Sequence, residues 1–248
     1  MTFWRIVLAL VVLAIAVLVL APATLLDAPL AAATARHLRL VDARGLWWRG
    51  EGVLATSDGA LRMPLQWRVA LAPLAIGNLA VDLYPEGAVL TPSGALVISK
   101  GTVAARDLHV SAPAAVASAF DPELALLALR GDLDLRVPSL VLHDRGASGS
   151  FDATWTRARI VAGPSSVDLG RVVAHGAPEG DGIGGIVHNE GGDVAVSGTF
   201  AARANTVETS LDLSPRSSAT EATRTLLGML GPADDTGHVR LHWQRRRR

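Results

Sequence analysis

The chain contains no cysteine, and Lys100 is its only lysine in 248 residues. Without cysteine there can be no disulfide framework, zinc-thiolate centre or thiol nucleophile. The near-complete replacement of lysine by arginine reflects a GC-rich genome and marks no site. Charge is also scarce: 19% of residues are charged, 23 basic against 23 acidic, for a formal net charge of 0. A balanced chain has no excess of cations with which to neutralise phosphates, so a nucleic-acid partner is excluded. Aromatics are few, and they are biased to six Trp against four Phe and one Tyr. What is abundant is apolar surface, at 50% of residues, enough for a sizeable core and too much for a disordered chain.

The longest apolar run starts behind Trp4 and Arg5 and extends from Ile6 through Leu20 to Ala23. About 20 apolar residues span a bilayer, and no charge opposes insertion before Asp27. Arg5 and the terminal amine orient such a helix with its N-terminus in the cytoplasm, and Trp4 suits the membrane interface. The run therefore predicts a retained single-pass anchor over residues 6–23, with 1–5 cytoplasmic and Trp4, Arg5, Ile6 and Leu20 among its membrane contacts. A cleaved export signal is the other reading, since Ala21-Pro22-Ala23 offers small residues. Both readings export the rest of the chain: a linker or short helix over 24–36, a periplasmic domain over 37–243 and a basic tail over 244–248.

From Leu38 onward the apolar period is two. Leu61, Met63, Leu65, Trp67, Val69 and Leu71 alternate with Arg62, Gln66 and Arg68. The pattern returns at Leu133, Leu135 and Val137, at Phe151, Ala153 and Trp155, at Val194 to Phe200, and at Val239, Leu241 and Trp243. Alternate strand side chains point to opposite faces, so each run predicts a strand with one apolar face. Turn signals separate the runs: Ser57-Asp58-Gly59, Pro85-Glu86-Gly87, Pro92-Ser93-Gly94, His143 to Gly146 and Glu190-Gly191-Gly192. Short, closely spaced strands without long crossovers predict antiparallel pairing. The fold class is therefore mainly β: an N-terminal transmembrane helix, then a curved antiparallel sheet or open half-barrel with one or two short helices. Pro64 predicts an edge or a bulge in its strand. The helices are expected at Ala112–Phe120 and at Ser217–Leu230, the latter capped by Ser217 or Ser218 with Glu221 and stopped by Gly231-Pro232.

Motifs for chemistry lack the context that would give them meaning. Gly180, Gly182 and Gly185 match G-x-G-x-x-G, but no helix start follows, and the stretch reads as a flexible loop. His238 and His242 are four apart in a run of period two, which places them along one strand face and not on a helix. Gly146-Ala147-Ser148-Gly149-Ser150 misses a nucleophile elbow by one residue, and Lys100 has no Ser three positions before it. Asp132 and Asp134, flanked by Arg130 and Arg136, read as a solvated charge ladder. Asp234-Asp235-Thr236-Gly237 reads as a turn. No catalytic residue, cofactor or metal is expected. Trp47, Trp67, Trp155 and Trp243, all in or beside expected strands, read as core anchors. Trp47 and Trp48, treated as strand neighbours, must face opposite ways, which makes Trp48 the candidate for a docking face together with Trp47 and Arg49. The tail from Arg245 to Arg248 reads as solvated, or as attracted to anionic lipid.

An ordered set of short motifs carries a family resemblance. It begins with the anchor and Gly45-Leu46-Trp47-Trp48-Arg49-Gly50-Glu51-Gly52, then Leu65-Gln66-Trp67-Arg68, Ala72-Pro73-Leu74 and Gly77-Asn78-Leu79. It continues through Leu129-Arg130-Gly131-Asp132-Leu133 and Trp155-Thr156-Arg157-Ala158, and ends with Leu226-Leu227 before Gly231 to Gly237. In this order the chain resembles protein N of bacterial type II secretion systems. The glycine-rich stretch 176–192 carries none of these motifs. The resemblance implies a bitopic inner-membrane part of a machine that exports folded proteins across the outer membrane. It implies no enzymatic activity and no cofactor. The implied partners are other components in the inner membrane and periplasm, besides the lipid bilayer. The sequence leaves one alternative open, an AsmA-like anchored β protein whose apolar groove binds or shields lipid acyl chains.

Overall fold

In the computed structural model the chain is described at residues 20–34, 36–56, 61–74, 76–84, 92–117, 128–143, 146–163, 165–203 and 206–246. Trp4, Arg5, Ile6 and the expected anchor up to residue 19 lie outside these. So do the turns expected at 57–59 and 85–87, Asp144-Arg145, residues 118–120 of the first expected helix, and the last two residues of the tail. No helix among the described residues is long and apolar enough to cross a membrane.

Thirteen strands form one sheet in strict sequence order, every neighbour antiparallel. They are β1 (Leu38–Leu46), β2 (Arg49–Thr56), β3 (Arg62–Ala70), β4 (Leu79–Tyr84), β5 (Ser93–Ser99), β6 (Thr102–Pro113) and β7 (Ala128–His143). Then follow β8 (Gly146–Ala162), β9 (Ser165–Glu179), β10 (Gly182–Glu190), β11 (Val194–Arg203), β12 (Thr206–Pro215) and β13 (Val239–Arg246). The helices are α1 (Asp27–Ala33), the single turn α2 (Leu71–Leu74) and α3 (Glu221–Leu230). The sheet is open, because among the described strands β1 and β13 each pair with one neighbour only.

The alternation read in the sequence is the alternation of burial. In β3, Met63, Leu65, Trp67 and Val69 are buried while Arg62 and Arg68 are exposed. Several expectations change. Pro64 marks neither an edge nor a bulge: β3 is interior, and Pro64 keeps register with Val53 of β2. Its missing N–H costs no described ladder bond on the other side, since pairing with β4 starts only at Gln66. Stretch 176–192 is not a flexible loop. Gly180-Asp181 is a two-residue hairpin turn, and β9 and β10 stay in unbroken register from Gly182–Glu179 to Glu190–Arg171. Ser93 and Gly94 belong to β5, and Gln244 to Arg246 belong to β13 instead of a tail. Residues 112 and 113 end β6, so the helix expected over Ala112–Phe120 does not begin there; a 3-10 turn spans Ala114–Val116, and residues 118–120 lie outside the described residues. The later helix starts at Glu221, capped by Thr220, whose side chain accepts from the Thr223 N–H; Ser217 and Ser218 sit in the preceding turn. Thr220 is the extended residue immediately before the helix, which is what a cap requires.

Long strands are bent by bulges. Gly131 of β7 has φ +103°, and a Cβ there would lie 2.3 Å from the Thr156 carbonyl oxygen. Opposite it, Arg157 takes φ +51° and its guanidinium pairs with Asp132. Such bulges add local twist to the sheet.

Apolar packing concentrates at both ends of the sheet. Leu40, Leu65, Trp67 and Val69 pack with Ala23, Leu26 and Leu30 of the N-terminal segment. Val167, Leu169, Val194, Val196, Leu213 and Val239 pack beneath Leu227 of α3. Each such side chain contributes roughly 1.5–3 kcal/mol when fully buried. A smaller cluster joins Leu61 and Met63 to Ala112.

The N-terminal segment also closes one edge. Alternate amides of β1 donate away from β2: Leu38 N–H to Thr34 Oγ1 at 3.2 Å and Leu40 N–H to Asp27 Oδ1 at 2.9 Å. Farther along, Pro22 bridges Leu46, and the Trp47 N–H donates to the Ala21 carbonyl at 3.1 Å. Arg39 grips the Asp27 carboxylate from the side, with Nη2 to Oδ2 at 2.5 Å. The Arg39 guanidinium, and next the Leu40 amide, hold the Asp27 carboxyl below the usual carboxylate range.

Two outcomes follow from this packing. The buried Asn189 amide donates to the carbonyls of Leu169 and Val194 and accepts from the Val196 N–H. Asn189→Ala leaves these backbone groups without partners and should destabilise the full chain by about 3 kcal/mol, read from its urea unfolding midpoint. Asp27→Ala should raise the Leu40 amide exchange rate about fivefold by hydrogen-exchange mass spectrometry. A depressed carboxylate stabilises above its unfolded pKa, and that contribution is lost as pH falls through the folded value. Leu40 protection, corrected for intrinsic rate, should therefore hold from about pH 7 to 5 and fall below about 4.

Candidate functional site

Trp47 and Trp48 are the two residues between β1 and β2, so they occupy a turn and not a strand. The opposite-face expectation fails for that reason: the chain reverses there, and both rings are half-buried against the cluster around Trp67. The Trp67 indole N–H donates to the Trp47 carbonyl at 2.9 Å, which fixes the turn to β3. Gly50 sits where Trp67 passes, and a Cβ there would lie 2.7 Å from the ring. Arg49 opens β2 and is exposed. The structure thus brings Trp47, Trp48 and Arg49 together at one hairpin tip. Leu20, the one expected anchor contact among the described residues, is 67% exposed. It lies just before Ala21, whose carbonyl binds that tip.

The remaining tryptophans differ from one another. Trp67 is the core anchor at 4% exposure. Trp155 packs beside the second cluster, its N–H on the Arg130 carbonyl at 2.9 Å. Trp243, expected in the core, is 42% exposed on β13. This strand is the other edge. The Ala233–Val239 bridge and the Asp234 N–H bonded to the His238 carbonyl cover only its beginning. Beyond Val239 no described strand pairs with its outer side.

Polar side chains pair across strands. Asp134 accepts from Ser111 at 2.8 Å and faces His109 Nε2 at 2.5 Å. Desolvation raises the Asp134 carboxyl, but the bonds from His109 and Ser111, with the charges of His109 and Arg136, outweigh it and hold the group low. A nucleophilic serine needs its proton taken by an imidazole. Here the hydroxyl is spent on the carboxylate, so the trio is a cross-strand polar cluster. Asp132 pairs with Arg157 and Asp134 with Arg136, a charge ladder as expected, although among the described residues Arg130 makes no ion pair in it. His175 pairs with Asp152 and Arg240 with Asp212. His238 immediately precedes β13 and His242 lies within it; His238 Nε2 comes within 4.0 Å of Asp212 Oδ1, the carboxylate that also takes Arg240. Asp234 Oδ1 accepts from the Thr236 and His238 amides and closes the expected turn. Gly180 and Gly182 flank a hairpin turn, which offers no helix N-terminus to a nucleotide. Among the described residues no group of three His, Asp or Glu is placed to hold a metal.

Sequence reasoning misses the covered edge. Its signal is present in Asp27 and Thr34, short acceptors beside a strand start, but their partners are backbone amides that no side-chain pattern reveals.

Among known protein families, the model for type II secretion system (T2SS) protein N matches residues 36–242, including the glycine-rich stretch that carries none of the motifs. No curated protein and no solved structure gives a significant match. From β1 into β13, this chain belongs to the type II secretion system protein N family.

Proposed function

We propose that this secretion component is a single-pass inner-membrane protein, anchored by residues 6–23, whose periplasmic sheet docks another component along β13 and performs no catalysis. The observation carrying this reading is the asymmetry of the two edges. The amides of Leu38 and Leu40 on β1 already have partners, whereas β13 beyond Val239 presents to one side a backbone that no described strand pairs. An unpaired edge accepts an extended segment as a further strand, with backbone bonds giving affinity and side chains giving specificity. The exposed Trp243 supplies an apolar contact, and the run of arginines at 245–248 in the sequence favours a segment with acidic residues at that end. Arginine on an open edge also opposes pairing with a second copy of itself. Family membership supports other secretion components as the source of that strand.

A photo-crosslinking amino acid at His242 or Gln244, in cells making the whole machine, should trap another secretion component. The same probe at Asp42 on β1 should trap none. Adducts from position 48 without adducts from 242 or 244 would move docking to the hairpin tip. Gentle purification that recovers stoichiometric phospholipid and no secretion component would instead select the lipid-shielding reading.

A further inference from the structure

We infer that the cavity beside the β1–β2 hairpin tip binds the phosphate group of an anionic phospholipid headgroup. The cavity has a volume of about 720 Å³ and is lined by Arg44, Arg49, Arg68, Trp48, Tyr84 and Glu51, among others. Arg49 of β2 stands directly opposite Arg68 of β3 in the ladder. Like charges in that position repel, and the fold gains nothing from them. Among the described residues, no carboxylate lies within ion-pair distance of Arg44, Arg49 or Arg68; elsewhere on the sheet Arg136, Arg159 and Arg240 are paired, while Arg106 and Arg130 are not, but neither joins Arg44, Arg49 and Arg68 around this cavity. Glu51 is the cavity's one acidic lining residue, so three cations against one anion leave a surplus of two positive charges. Asp82, the residue across from Arg68 on β4, does not line the cavity.

The chemistry of these groups selects the ligand. A guanidinium presents a planar fork of donors that matches phosphate oxygens two at a time. The Arg68 guanidinium lies over the Tyr84 ring, 5.6 Å from its centroid, which holds it in place while its N–H edge stays available. Trp48 and Tyr84 give the same cavity aromatic walls with polar tips, the side chains favoured where hydrocarbon meets headgroups. The position agrees: the Trp47 N–H to Ala21 bond and the Pro22–Leu46 bridge tie the tip to the end of the apolar run. The choice of lipid over free phosphate rests on the proposed anchor, which would hold the cavity at headgroup level.

Short-chain lipids, soluble as monomers, test the site without a bilayer. The full-length protein in nonionic detergent is titrated with dihexanoyl phosphatidylglycerol, dihexanoyl phosphatidylcholine and inorganic phosphate, followed by tryptophan fluorescence and native mass spectrometry. Saturable binding of the phosphatidylglycerol is expected, with Kd raised at least about tenfold in Arg49→Gln/Arg68→Gln. Arg49→Lys/Arg68→Lys, which keeps the charge but loses the forks, should fall between. Arg159→Gln, on the far part of the sheet, should bind as the parent does. Equal affinity for phosphatidylcholine, or no loss in the double Gln variant when its circular dichroism is unchanged, overturns the site. Inorganic phosphate binding as tightly as the phosphatidylglycerol overturns the lipid assignment. Carbonate extraction of membranes tests the anchor separately: lipid binding by a chain that carbonate strips from the membrane sinks the anchor and leaves the phosphate site standing, and the reverse result does the opposite.

Discussion

The rest of this structure depends on how an open sheet satisfies its outermost backbone. Thirteen antiparallel strands bury most of their amides against each other, but β1 and β13 each have a side with no described strand beyond it. The two are treated differently. At β1 the preceding segment folds back, and two short side chains, Thr34 and Asp27, take the outward amides of Leu38 and Leu40. The same fold-back brings Ala23, Leu26 and Leu30 over the face carrying Trp67, so edge protection and core formation are one event. At β13, among the described residues, only the turn before the strand gives cover.

Much of this is legible in the sequence, and the failures have physical causes. The strands that read correctly are those with one wet and one dry face, such as β3 with Trp67 between Gln66 and Arg68. The end of β9 and all of β10 read as a loop because their glycines mask the period. Yet Gly176, Gly184 and Gly185 lie where Phe151, Glu179 and Phe200 cross, so there the space is filled by a neighbour's side chain. Trp47 and Trp48 defeat the reading because periodicity assumes a continuing strand, and the chain turns at that point. Thr220 displaces Ser217 and Ser218 as the helix cap because a cap is set by where the backbone leaves the extended region. The candidate tip residues are legible by type alone. Their grouping with Arg44 and Arg68 depends on strand register, which one sequence does not encode locally.

The polar side chains divide along the same lines. Several ionic groups on the sheet meet a partner one strand away, as His109 does at Asp134 and Arg240 at Asp212. Exposed pairs of this kind contribute little stability each. Their effect is on pairing, because a register slip would set like charges opposite one another. Register also sets like charges opposite at two places, Arg130 with Arg159 and Arg49 with Arg68; Arg159 has the Asp168 carboxylate beside it, whereas neither arginine of the pair near the hairpin tip has an ion-pair partner among the described residues.

The sequential strand order has a consequence for assembly. Among the described strands each pairs only with those immediately before and after it, so ladder contacts are short in sequence and the sheet can grow from one end as chain is delivered. With the first edge sealed by what precedes it, growth has one direction. At every intermediate stage the exposed edge belongs to a different strand with a different sequence. Among the described strands β13 is the last to be delivered, so a partner that recognises the edge bearing Trp243 reads, in the same contact, that every strand of the sheet has been delivered.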